Sequence, residues 1–206
     1  MAKQKGIIKL DGTIGGITFY KTTEDGYLAR EKGGVSADKI ANDPAFQRTR
    51  ENGEEFGRAG KAGKLLRNSI RAMLQNASDS RMVGRLTQKM VEVIQEDLTN
   101  PRGQRNVIDG EAELLEGFEF NINGKLGTTL YAPFTGTIDR VAGTLTANIP
   151  AFVPINMLAA PGGSTHFKIV SASAEVDFEN ETFVMDAQAT AVLPWDSAAT
   201  AVITLV

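Results

Sequence analysis

The chain opens in short apolar runs, passes into a long polar stretch with helical spacing, and ends in alternation of period two. Residues 6–32 read as strands. "GIIKL" precedes a turn at Asp11-Gly12, "GITFYKT" alternates Ile17, Phe19 and Lys21 with Thr18, Tyr20 and Thr22, and "EDG" at 24–26 turns the chain into "YLAR". Gly15 and Gly16 suggest a bulge or a close backbone approach. So small a sheet is marginal alone and must lie on its own chain or on a neighbour.

"SADKIAND" at 36–43 holds a short helical turn. Asp43-Pro44 is a helix start, the aspartate capping and the proline in first position. In the helix that follows, Phe46, Phe56, Leu66, Ile70 and Met73 fall near one stripe. Gly53, Gly57, Gly60 and Gly63 recur every three or four residues, each costing about 1 kcal/mol against alanine inside a helix. They either line a face that another backbone approaches or mark a break near Gly53. A second helix is expected from about 79 to 98, with Met82, Leu86, Met90, Val93 or Ile94, and Asp97 or Leu98 on its apolar face, and Asp79 or Ser80 as cap. "TNPRG" ends it, and the two helices would pair antiparallel.

From about residue 116 the period is two. Phe118, Phe120 and Ile122 alternate with polar residues, as do Leu145, Ala147 and Ile149. Val170, Ala172, Ala174, Val176 and Phe178 alternate with Ser171, Ser173, Glu175 and Asp177; "ENE" turns the chain, and Phe183 to Leu193 continue the alternation. "ATAVITLV" closes as a strand. The expected fold is α+β: a β-hairpin arm over 1–35, a helical region over 36–107, and an antiparallel, immunoglobulin-like β-sandwich over 108–206.

Composition narrows the chemistry. The 206 residues are 42% hydrophobic and 23% charged, ordinary for a globular protein, and include no cysteine. Disulfides, thiolate metal sites and cysteine nucleophiles are therefore excluded. No segment approaches the roughly 20 apolar residues of a membrane helix, and no signal peptide is recognisable. The expectation is a soluble protein made in the cytoplasm, without membrane insertion, that reaches a virion or an extracellular assembly by lysis or a dedicated machine. Net charge is −3, but residues 1–107 carry 19 basic and 13 acidic side chains and residues 108–206 carry 3 and 12. This asymmetry fits a nucleic-acid face, head-to-tail association of basic and acidic ends, or two regions of different composition.

No catalytic set forms. "GRAGKAGKLL" fails the phosphate-loop spacing: Arg58 or Glu55 stands where the first glycine belongs, and Leu65 or Ala62 where the hydroxyl belongs. "GTIGG" is not a dinucleotide fingerprint. His166 is the only histidine, which weighs against a histidine triad or a histidine metal site. Glu175, Asp177, Glu179 and Glu181 cluster at a turn but are explained as a solvent face. No enzyme activity, cofactor or metal is expected. The basic run is Arg48, Arg50, Arg58, Lys61, Lys64, Arg67 and Arg71, of which the last five offer contact to phosphate or to an acidic partner, with Glu51, Glu54 and Glu55 set among the bases. Trp195 and Tyr131 are candidates for an aromatic carbohydrate platform.

"GTIGGITFYKTTEDGYLAREKGGVS" followed by "DPAFQRTRENGEEFGRAGKAGKLLR" resembles the N-terminal signature of small uncharacterised proteins of Bacteroidota and their phages, and "HFKIVSASAEVDFENETF" resembles the C-terminal hairpin of related families. The resemblance spans roughly residues 6–75 and 165–185. It implies a virion-like or filament-like structural role and brings no catalytic residues. The expected function is thus self-assembly, as a phage virion component or filament subunit, with the chain itself and other virion proteins as partners. The arm residues Ile14, Gly15, Gly16, Phe19, Tyr20, Tyr27 and Arg30 would pair with a neighbour's sheet edge. A nucleic-acid-binding accessory protein using helix 48–71 is the alternative.

Overall fold

The computed structural model describes residues 2–206 as an α+β chain with antiparallel sheets. It divides into two compact units, one up to Arg50 and one from Glu51 onward.

The first unit is a four-stranded sheet followed by short helices. Strands β1 (Ala2–Lys3), β2 (Gly12–Ile14), β3 (Ile17–Thr22) and β4 (Gly26–Glu31) lie in the order β1-β4-β3-β2. "GIIKL" is not a strand. It is an exposed loop closed by the Gln4 side chain, which donates to the Leu10 carbonyl at 3.2 Å and accepts from the Leu10 N–H at 2.9 Å. Gly15 and Gly16 form the two-residue turn between β2 and β3 rather than a bulge. Ile14 pairs with Ile17, and Gly15 takes φ +56°, the left-handed region such a tight hairpin requires. Ser36 caps α1 (Ala37–Asn42) by accepting from the Lys39 N–H. Asp43 caps a 3-10 turn over Pro44–Phe46 that leads into α2 (Gln47–Ser69), as the sequence predicts.

Helix α2 runs unbroken through all four glycines, so the chain does not break at Gly53. Of the expected stripe Leu66 and Ile70 pack against the core, but Phe56 is exposed. The buried residues of the helix are Glu55, Ala59, Ala62, Gly63 and Ser69. These recur at helical spacing, but small residues carry little hydrophobic signal, so their face is hidden from a reading of hydropathy. Gly63 alone of the four glycines meets another element: a Cβ there would lie 3.7 Å from Leu86 and Met90, while Gly53, Gly57 and Gly60 face open space. After α3 (Arg71–Ala77), helix α4 (Met82–Gln95) buries Met82, Leu86, Met90, Val93 and Ile94, the expected positions, whereas Leu98 is exposed. Val107, Leu114, Leu115, Phe118, Phe120 and Phe178 pack on this core. Phe118 and Phe120 therefore sit in irregular chain, edge to face at 5.0 Å, and not in the expected strand.

Beyond the short α5 (Leu126–Thr129), β5 (Thr135–Asp139) and β6 (Thr144–Ile149) form a hairpin. After α6 (Pro154–Met157) come β7 (His166–Phe167), β8 (Val170–Asp177), β9 (Thr182–Ala189), β10 (Leu193–Pro194) and β11 (Ile203–Leu205). They join as a three-stranded sheet β11-β6-β5, a two-stranded pair β10-β7 and a two-stranded ribbon β8-β9. A second apolar cluster of Ala132, Ile149, Phe152, Ile203 and Leu205 receives Phe167 and Leu193 from the β10-β7 pair.

The ribbon pairs as its alternation predicts, Val170 opposite Ala189 through Val176 opposite Phe183. Its eight apolar side chains therefore share one face. None of the eight is buried, and Val170 and Phe183 are exposed. The small cavity between ribbon and three-stranded sheet is lined on the ribbon side by Ser171, Ser173, Asp186 and Gln188. The polar face, not the apolar one, looks toward the sheet. Alternation fixes which side chains share a face but carries no information about which face is covered.

Candidate assembly surfaces

The expected arm residues come together in the first sheet but divide between its faces. Strand register puts Ile14, Phe19 and Tyr27 on one side and Tyr20 and Arg30 on the other. On the first side Ile14 and Ile17 are exposed, and the Lys21 ammonium lies 5.4 Å from the Tyr27 ring. On the second the Arg30 guanidinium lies 5.3 Å from the Tyr20 ring, beside buried Leu28. Strand β2, at the sheet's edge, is three residues long and fully exposed.

The basic residues of α2 do not form one surface. At about 3.6 residues per turn, Arg58 and Arg67 lie on opposite sides of the helix. Arg58 donates to the Arg105 carbonyl at 3.2 Å and faces Glu54 at 3.9 Å, and Arg67 donates to the Gly63 carbonyl at 3.1 Å. Lys61, Lys64 and Arg71 are exposed. Arg58 and Lys61 border a cavity of about 190 Å3 lined also by Leu65, Val107, Phe178 and Glu181, so an acid shares its lining with the two bases.

The strongest electrostatics lie elsewhere, at residues hydropathy cannot single out. Glu55, on the buried face of α2, receives the Arg105 guanidinium in two parallel bonds of 2.8 and 2.9 Å and the Gly103 N–H at 2.8 Å. The Arg105 bonds outweigh the cost of burial and hold the Glu55 carboxyl below the usual carboxylate range. Arg105 also donates to the Gln95 carbonyl, which ties the segment after α4 to both helices. Burial pushes the Asp97 carboxyl up, but donors from Asn100, Asn106 and Thr99 overcome it and hold Asp97 at about 2. Asp79, lowered first by the Ile122 N–H, pairs with Arg85, which donates in turn to the Glu119 carbonyl and covers the Phe118 ring. These three carboxylates clamp irregular chain onto the helices. The one available signal was Asp97, an acid falling in line with the apolar stripe of α4 just past its end.

The turn acids do not converge. Asp177 accepts from the Asn180 side chain and from the Asn180 and Glu179 N–H groups, which lowers its pKa and shapes the turn. Among the described residues no group of three or more His, Asp or Glu is placed to hold a metal ion. The exposed His166 ring contacts Thr165 at 2.9 Å. Trp195 donates its indole N–H to the Leu158 carbonyl at 3.1 Å, while Tyr131 is exposed. No helix among the described residues is long and apolar enough to cross a membrane. No protein-family model, curated protein or solved structure matches the chain.

Proposed function

We propose that this protein is a non-enzymatic structural subunit that assembles with copies of itself, as a virion component or a filament subunit, through its N-terminal arm and its β region. One observation carries the reading. The β8-β9 ribbon holds eight apolar side chains on one face, and the chain buries none of them. A two-stranded ribbon is marginal in water, and an apolar face left exposed or only half-buried is a contact surface awaiting a partner. The short exposed edge strand β2 supplies a second, directional contact by strand addition. The packing of Phe167 and Leu193 against the three-stranded sheet supports reading the β region as an immunoglobulin-like sandwich in two layers.

Negative-stain electron microscopy and light scattering of the purified protein, at high concentration and low salt, test this. Rings, tubes or fibres are expected, together with their loss when residues 1–35 are deleted. A protein that stays monomeric under these conditions overturns the reading.

A further inference from the structure

We infer that the loop between β1 and β2 of one copy docks into the groove between the β5-β6 hairpin and the β8-β9 ribbon of a second copy. The inference rests on the self-assembly reading and names the surfaces that meet.

The loop is built as a plug. Ile7 and Ile8 stand 103% and 81% exposed at its tip, flanked by Lys5 and Lys9. Water gives an aliphatic pair no reason to stand there. The tip is nonetheless held in shape: the two Gln4–Leu10 bonds close the loop, Gln4 donates again to the Leu28 carbonyl, and Lys9 donates to the Gln4 carbonyl. A loop already closed in the free chain loses little conformational freedom on docking.

The groove is the matching socket. Its volume is about 660 Å3, within the range that accepts a ligand the size of a few side chains. Ile138 and Val184 line it, 69% and 73% exposed. Asp139, Glu175 and Asp186 surround them against the single base Arg140. A plug of two isoleucines between two lysines thus meets two aliphatic residues among three carboxylates. The wider chain repeats this complementarity, since residues 1–107 are net basic and residues 108–206 net acidic. Because plug and socket are different surfaces, the contact is heterologous and propagates from copy to copy into a ring or a filament.

The chain has no cysteine, so single thiols report the contact directly. An Ile8→Cys chain is mixed with a Val184→Cys chain under oxidised glutathione, and 8–184 disulfides are counted by mass spectrometry. The mixture is expected to form the mixed dimer at least about tenfold faster than a mixture of Ile8→Cys with the exposed-site control Val202→Cys. A second pair guards against a variant that fails to fold. Lys5→Glu/Lys9→Glu and Glu175→Lys/Asp186→Lys should each stop assembly alone, and mixing them should restore it, since each arm then finds a complementary groove only on the other chain. If wild-type protein assembles, both charge variants assemble equally well and no 8–184 disulfide accumulates, this contact is wrong while the assembly reading stands. If wild-type protein does not assemble and the Ile8→Cys and Val184→Cys chains do not cross-link, both fall.

Discussion

Replacing Arg105 with methionine leaves Glu55 buried, charged and short of its cation. The Glu55 side chain is 4% exposed and that of Arg105 17%, and their contact is bidentate. Removing one partner of a buried ion pair typically costs about 3–5 kcal/mol. The Gly103 N–H remains on Glu55 and Arg105 retains some solvent, so about 3 kcal/mol is expected. For a unit of this length that lowers Tm by roughly 6–12 °C. The assay is urea unfolding followed by far-ultraviolet circular dichroism, run with Arg105→Met, Glu55→Met and the double variant. The double variant should recover most of the loss, because the desolvated charge is gone and two apolar side chains replace it. The pH dependence follows from the lowered Glu55 pKa. The pair's contribution is complete above the unfolded carboxyl's ordinary range near about 4.3 and is lost as pH falls toward the depressed folded value. In Glu55→Met that part of the acid dependence should vanish. A loss below about 1 kcal/mol for Arg105→Met, or a double variant as unstable as the single, would refute the buried-clamp argument.

Gly110→Ala should destabilise by about 1–3 kcal/mol in urea unfolding, because a Cβ at Gly110 would lie 2.3 Å from the Val93 carbonyl oxygen and must push the 106–111 segment off α4. Asp97, held at about 2, supports folding above the unfolded aspartate's range near about 3.9, and this support is lost as pH falls toward 2. An acid titration of Asp97→Asn should therefore lack that component, and an unchanged profile would count against Asp97 as a clamp. Phe183→Ser should change the stability of the dissociated chain by less than about 1 kcal/mol, against the 3–5 kcal/mol of a core phenylalanine, while weakening assembly measured by light scattering. Met90→Ala, at a fully buried position, should cost about 2–5 kcal/mol by the same unfolding measurement.

Where a signal rested on local chemistry, the sequence was legible. Asp43-Pro44 starts a helical turn because its side-chain cap is a contact between neighbours. The α4 stripe from Met82 to Ile94 reads correctly because large side chains repeat at the helical period. The pairing of β8 with β9 follows from alternation across a tight turn. What stayed hidden depends on distant parts of the chain. Glu55 looks solvent-facing until Arg105, fifty residues later, answers it. Ala59, Ala62 and Gly63 form a core face only because α4 supplies the bulk. The apolar face of the ribbon misleads because alternation tells which side chains share a face and not whether another element covers it. The arm residues were legible as a hairpin, and alternation alone parts Phe19 from Tyr20, but which of Tyr27 and Arg30 joins which face depends on the register set by the turn between Thr22 and Gly26.

The glycines of α2 also bear on how the molecule moves. Gly53, Gly57 and Gly60 touch no other element, so nothing in the packing requires them, yet each lowers the helix's own stability by about 1 kcal/mol against alanine. The same helix is anchored farther on, where Ala59, Ala62 and Ser69 are buried. Its backbone hydrogen bonds should therefore open unevenly: amide protons up to Gly53, ahead of the Glu55–Arg105 clamp, exchange with solvent early, and those past Ala62 exchange only when the surrounding core loosens. The helix is rigid at one end and yielding at the other, and on the proposed assembly reading that compliance would let a subunit adjust to its neighbours without disturbing its core.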